Sequence, residues 1–169
     1  VNPERDYILF GKERHDIGRP YDWGYPIRGI IRGDLLYIYN FEPDRWPVGN
    51  PETGYLNTDG GLTKTFILDH RTTPRMYHYW DQNFGKRPSE ELYNIAEDPD
   101  NLHNLADDPE YRELKQELKT ELYQKLKEQK DPRMFGRGYV FDGYRYMDQD
   151  NVNFYHRYIM EGEEIPTFW

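Results

Sequence analysis

Apolar residues in this chain fall into short runs separated by charged or Gly/Pro-rich stretches, and only one stretch holds a sustained period. The run Tyr7-Ile8-Leu9-Phe10 is continuous and reads as a short buried strand. Ile27 to Arg32 and Leu35 to Phe41 are β-rich and separated only by Gly33-Asp34. That pattern predicts a tight hairpin, with glycine supplying the positive φ. Arg32-Gly33-Asp34 spells a cell-adhesion tripeptide, but a hairpin turn accounts for it without any partner. Residues 42–60 carry Pro43, Pro47, Gly49, Pro51 and Gly54 and read as loop. Leu62 to His70 predicts a short helix with Leu62, Phe66 and Ile67 on one side, while the aromatic stretch Met76 to Phe84 leaves helix and strand open. Glu91 to Ile95 predicts one more strand, closed by Asp98-Pro99-Asp100.

The sustained period follows. Tyr111, Leu114, Leu118, Leu122 and Leu126 recur at spacings of three and four, which places them on one helix face. Asp108 is a suitable N-cap and Pro109 suits the first helical position. Glu110 sits at the positive end of the helix dipole, and Lys125, Lys127 and Lys130 sit at the negative end. Asp131-Pro132 stops the helix. The expected fold class is therefore α+β: a small antiparallel sheet of about four strands packed against one long amphipathic helix. Beyond Pro132 the chain is rich in glycine and aromatics, including Gly136, Gly138, Tyr139, Phe141, Tyr144, Tyr146, Phe154, Tyr155, Tyr158, Phe168 and Trp169, with no period. The expected division is a domain over 1–135 and an irregular aromatic tail over 136–169.

Composition changes this picture in two ways. Mean hydropathy is −1.08, and 31% of residues are charged, a combination that on its own predicts disorder. Aromatics at 17%, sixteen of them tyrosine, argue for order, because each buries a large area. The net charge of −9 disfavours nucleic acid and anionic membrane as partners, since both repel an acidic surface. It leaves room for an anionic sugar in a locally basic pocket. No cysteine is present, so neither disulfides nor zinc–thiolate sites are available. No window approaches the length of a membrane span. The chain opens on Val1 and runs at once into a core-like strand, which reads as a chain entered in the middle, with any targeting segment upstream.

Candidate chemistry is sparse. The one serine, Ser89, lacks the glycine elbow of a hydrolase nucleophile and reads as a cap or turn. His15, His70, His78, His103 and His156 form no tight ligand pair. Asp148 to Asn153 starts like a calcium loop but has Asn153 at the glycine position and Ile159 at the final carboxylate position. No catalytic or metal-ligating residue is assigned. The best binding candidates are Glu13, Arg14, His15, Asp16 and Arg19, in the charged loop that follows the first strand. Arg14, His15 and Arg19 offer donors for a sulfate or carboxylate, and the alternative is an ordinary charged loop with internal ion pairs. The aromatic tail offers faces for sugar rings, but packing against a partner domain is the favoured reading.

Several segments together resemble the C-terminal region of sulfatases. Glu91-Leu92-Tyr93-Asn94-Ile95-Ala96-Glu97-Asp98-Pro99-Asp100-Asn101-Leu102-His103-Asn104-Leu105-Ala106 is similar to the family pattern ELYDLxxDPxExxNLA, with Asn94 where Asp is usual and Leu102 near an acidic position. Asp108-Pro109 and the amphipathic helix follow as in the family. Tyr25-Pro26-Ile27-Arg28-Gly29-Ile30-Ile31-Arg32, then Leu35 to Phe41 and Glu42-Pro43-Asp44-Arg45-Trp46-Pro47, is similar to the N-sulphoglucosamine sulphohydrolase-like branch. The likeness covers most of residues 7–135.

The resemblance implies a four-stranded antiparallel sheet crossed by a helix, standing behind a large α/β N-terminal half similar to alkaline phosphatase. It implies that the nucleophile, a formylglycine made in a Cys/Ser-x-Pro-x-Arg motif, and the calcium ion both belong to that N-terminal half. No position here matches either, so the implied role of this chain is substrate recognition and support, without catalysis of its own. The implied partners are the N-terminal catalytic domain and a sulfated glycan, with a periplasmic or extracellular location. Self-association through exposed aromatic surface is a further expectation. Two alternatives stand beside this reading: a free-standing glycan-binding or assembly module, and a phosphate-ester hydrolase of the same superfamily.

Overall fold

The computed structural model describes residues 6–164; Phe168 and Trp169 of the aromatic tail lie outside them. The chain divides into two compact units, each built from several separate stretches of the sequence. The first takes the chain up to Glu13, then Pro26–Phe41 and Pro88–Phe141. The second takes Arg14–Tyr25, Glu42–Arg87 and the chain from Asp142 onward.

The first unit is α+β, as the patterns predict. Strands β1 (Tyr7–Lys12), β2 (Ile27–Arg32), β3 (Leu35–Asn40) and β4 (Glu90–Asn94) form one antiparallel sheet in the order β1-β2-β3-β4. The β2–β3 turn places Arg32 opposite Leu35, and Gly33 sits at φ +56°. The register aligns Leu9, Ile30, Tyr37 and Leu92 in one row across all four strands. That row is the core: Ile30, Tyr37 and Leu92 are fully buried beneath Leu118, Leu122 and Leu126 of the helix, here α1 of this unit (Arg112–Glu128). The helix opens through a 3₁₀ turn at Pro109–Tyr111, with the Asp108 carboxylate accepting from Glu110 N at 2.9 Å. It ends where Lys130 turns left-handed at φ +59°. Tyr39 meets Tyr123 of the helix edge to face at 5.6 Å.

Strand β1 corrects one expectation. A continuous apolar run reads as buried on both faces, but β1 is an edge strand, and Ile8 is 61% exposed while Leu9 joins the core. On the opposite face Phe10 lies directly over Gly29, where a Cβ would stand only 2.1 Å from the ring. Glycine at position 29 is what lets that aromatic ring lie flat on β2.

The free edge of β4 is closed by a side chain instead of a fifth strand. Asn104 Oδ1 accepts from Leu92 N at 2.9 Å and from Ala106 N at 3.0 Å, and its Nδ2 donates to Glu90 O at 3.2 Å. Leu105 N then donates to Leu92 O at 2.8 Å. Backbone groups of a buried strand must find partners, and this asparagine provides them.

The second unit contains α2 (Leu62–His70), α3 (Tyr77–Phe84) and long connecting loops. Its centre is aromatic. Tyr55 and Phe84 lie 5.0 Å apart, Trp46 joins Tyr55 at 6.1 Å, and Trp80 Nε1 donates to the Tyr55 hydroxyl at 3.1 Å. Phe154, from the stretch expected to be irregular, is fully buried and packs against Tyr158 at 4.3 Å. Helix α2 forms where its pattern predicts, but none of its residues is buried, and Leu62 is 92% exposed. Of the stretch Met76 to Phe84, Tyr77–Phe84 resolves as helix. Ser89 is a bend preceding β4 and caps no helix; its carbonyl accepts from Asn40 N at 2.8 Å.

Candidate functional site

The loop that starts at Arg14 is shaped by its own hydrogen bonds. Arg14 Nη1 donates to Asp22 O at 2.8 Å and Nη2 to Tyr144 O at 2.9 Å, with the guanidinium 5.2 Å from the Tyr146 ring centre. Asp16 Oδ1 accepts from its neighbour Ile17 N at 2.8 Å and from the Tyr146 hydroxyl at 2.7 Å. Burial first, and then the bond to Asp16, pushes the Tyr146 phenol well above its ordinary value, so it stays a donor. Asp16 Oδ2 has no hydrogen-bond partner among the described residues. His15, between them, is exposed and makes no ion pair or hydrogen bond among the described residues.

Arg19 is placed differently. It is only 2% exposed, and its donors are committed: Nε to Trp46 O at 2.7 Å, Nη2 to Pro47 O at 2.7 Å, and Nη1 to Asn57 Oδ1 at 2.9 Å. Asn57 Oδ1 also accepts from Asp16 N at 3.2 Å, so one amide ties the two residues together. Burial, with the charge of Arg45 adding to it, pulls Arg19 down to about 10. An arginine so held is a framework residue that organises the 46–57 loop, and no anion can reach it. Next to it, Tyr21 and Asp22 both take positive φ, at 57° and 55°, which non-glycine residues adopt at a cost. Asp22 is buried, with Oδ2 accepting from Asn153 N at 2.8 Å, while Tyr21 stays 74% exposed and meets Trp23 at 4.9 Å.

Glu13 belongs to the first unit. Its carboxylate takes a two-pronged contact from Arg133, at 2.9 Å and 2.6 Å, and a third bond from Arg28 Nη2 at 2.6 Å. Arg28 Nε continues to Asp131 at 2.6 Å. Burial opposes the charge on Arg28, but the bonds to Asp131 and Glu13 outweigh it and raise its pKa. Two carboxylates and two guanidiniums thus neutralise one another where the helix ends, beside a groove of about 310 Å³. Glu13 is occupied in holding β1 to that end of the helix.

Of the five loop residues singled out from sequence, His15 and Asp16 are presented outward, Arg14 is partly committed, and Glu13 and Arg19 are fully engaged in structure. Sequence reading overlooked Lys64. Its ammonium donates to Tyr55 O at 3.0 Å and Thr58 O at 2.9 Å, and burial lowers its pKa. It borders a cavity of about 610 Å³ that Asp16 also lines. The Asp59-Gly60-Gly61 stretch ahead of an apolar-periodic helix was the available signal for such a pocket. Among the described residues no three His, Asp or Glu converge to hold a metal ion, and no helix is long and apolar enough to cross a membrane. No family model matches the chain, and no curated protein matches it.

Proposed function

We propose that this chain is the C-terminal portion of a sulfatase, a hydrolase of sulfate esters or N-sulfates on glycans, closest to the N-sulphoglucosamine sulphohydrolase-like branch. The observation that carries the reading is the segment Glu91–Ala106. Its residues, quoted above for the family likeness, form β4 and then the Asn104 bridge that closes the sheet edge, and Asp108 caps the crossing helix. Asn104 and the Asp108 that follows the segment thus each have a physical role in this fold. A four-stranded antiparallel sheet with one helix across it is also the architecture that the resemblance implies.

In this reading the formylglycine nucleophile and the calcium ion belong to an N-terminal catalytic domain, which is the chain's partner, and the setting is periplasmic or extracellular. This chain contributes recognition of a sulfated glycan. His15 and Asp16 carry that share, because the His15 ring nitrogens and Asp16 Oδ2 have no partner among the described residues. Arg14 and Arg19 hold the backbone that presents them. An imidazole N–H can donate to sulfate oxygens. Substituting His15→Ala in the complete native polypeptide raises KM for a sulfated oligosaccharide severalfold with little change in kcat, the pattern of lost uniform binding. Unchanged kinetics would remove the loop from substrate recognition.

A further inference from the structure

We propose that the cavity of about 610 Å³ in the second unit is a saccharide subsite that seats an uncharged, hydroxyl-bearing sugar ring. The volume falls within the roughly 300–1,000 Å³ of small-molecule pockets. Its lining has the three features that a pyranose requires. The carboxylates of Asp16 and Asp59 accept from ring hydroxyls, with Asp16 Oδ2 free to do so among the described residues. Lys64 is the donor. Two of its three ammonium hydrogens go to Tyr55 O and Thr58 O, which fixes the nitrogen and leaves one N–H. Leu56 and Leu68, both half-buried, supply the apolar patch that the C–H face of a ring covers.

Charge decides which sugar. Two carboxylates face one ammonium across the lining, so the cavity carries a net negative charge and repels a sulfate or carboxylate group. The loop around Arg14 and Asp16 is held in place by Tyr146, so the Asp16 carboxylate is already positioned before any ligand arrives. The inference rests on the proposed function in one respect only, that the ligand is a glycan. Within a sulfated chain, the ring seated here is one without sulfate, and the cavity selects spacing along the chain by rejecting a sulfated ring.

The test uses this chain labelled with ¹⁵N and titrated with cellobiose and, separately, with a fully sulfated heparin disaccharide. Cellobiose is expected to shift the amides of Gly60, Gly61 and Thr65, and the heparin disaccharide to leave them unmoved. Asp59 is exposed and makes no structural ion pair among the described residues, so Asp59→Asn keeps the fold. It is expected to weaken cellobiose binding about tenfold, the worth of one charge-assisted hydrogen bond. Lys64→Met is the second variant, with a folded spectrum as its control, and is expected to weaken binding by a similar factor. No shift with cellobiose, equal affinity in Asp59→Asn, or a preference for the sulfated disaccharide at these amides would overturn the proposal. None of these outcomes bears on sulfate release by the complete polypeptide, so the cavity and the sulfatase reading fail separately.

Discussion

Asn104 offers the sharpest test of how this sheet is held. Its side chain satisfies three backbone groups at the edge of β4: Leu92 N, Ala106 N and Glu90 O. Leu92 is fully buried and Ala106 is 4% exposed, so water cannot readily replace a lost partner at either amide. The Glu90 carbonyl lies at an exposed bond and can turn to solvent. In Asn104→Ala two amides are left without acceptors, at about 1–3 kcal/mol each, and partial relaxation brings the expected loss to about 2–4 kcal/mol. In Asn104→Asp both acceptor bonds survive and only the bond to Glu90 O is lost, for about 1 kcal/mol. Urea denaturation reads the two values, and native-state hydrogen exchange should show the Leu92 amide losing protection in Asn104→Ala but keeping it in Asn104→Asp. Losses within about 0.5 kcal/mol of each other, the range of ordinary surface substitutions, would refute the edge-bridge account.

Arg19→Lys is expected to destabilise by about 2–3 kcal/mol in the same assay, because an ammonium cannot span the Trp46, Pro47 and Asn57 acceptors that the guanidinium fork reaches. A neutral result would return Arg19 to the list of residues available for a ligand. Gly29→Ala should cost about 1–3 kcal/mol by driving a methyl into the Phe10 ring, and a double-mutant cycle with Phe10→Ala should show that much of this cost is shared. Glu90 sets an acid limit. Burial pushes its carboxyl up, but bonds from Tyr37 and Lys119 outweigh that and hold it below its ordinary 4.5. A depressed folded pKa stabilises fully above the unfolded value and loses that contribution as pH falls through the folded one. Stability measured from pH 5 downward should therefore drop less steeply in Glu90→Gln than in the parent chain.

The elements that sequence made legible are those in which one physical cause dominates. The leucine period of the long helix, the two-residue turn at Gly33-Asp34 and the Asp108-Pro109 start each encode a single local preference, and each appears where its pattern lies. Ile8 was misread because a run of four apolar residues does not record whether a strand lies at an edge. The same limit applies to the loop at 14–19. Arg14, Asp16 and Arg19 look alike in sequence as surface charges, but their partners are carbonyls and amides at 22, 46, 47, 57 and 144, set by tertiary structure. Lys64 was missed for the complementary reason: a lysine in the first turn of an exposed helix looks solvated until the loop at 55–58 folds over it. Phe154 could not be told from the other tail aromatics because an aperiodic run carries no sign of which ring becomes buried.

The central claim is tested most directly by isolating the native gene product, sequencing it, and assaying it for release of inorganic sulfate from sulfated oligosaccharides. The account predicts a polypeptide that carries a Cys/Ser-x-Pro-x-Arg motif on the N-terminal side of these residues and releases sulfate. A native product without that motif and without sulfate release would contradict the sulfatase reading and leave a glycan-binding module in its place.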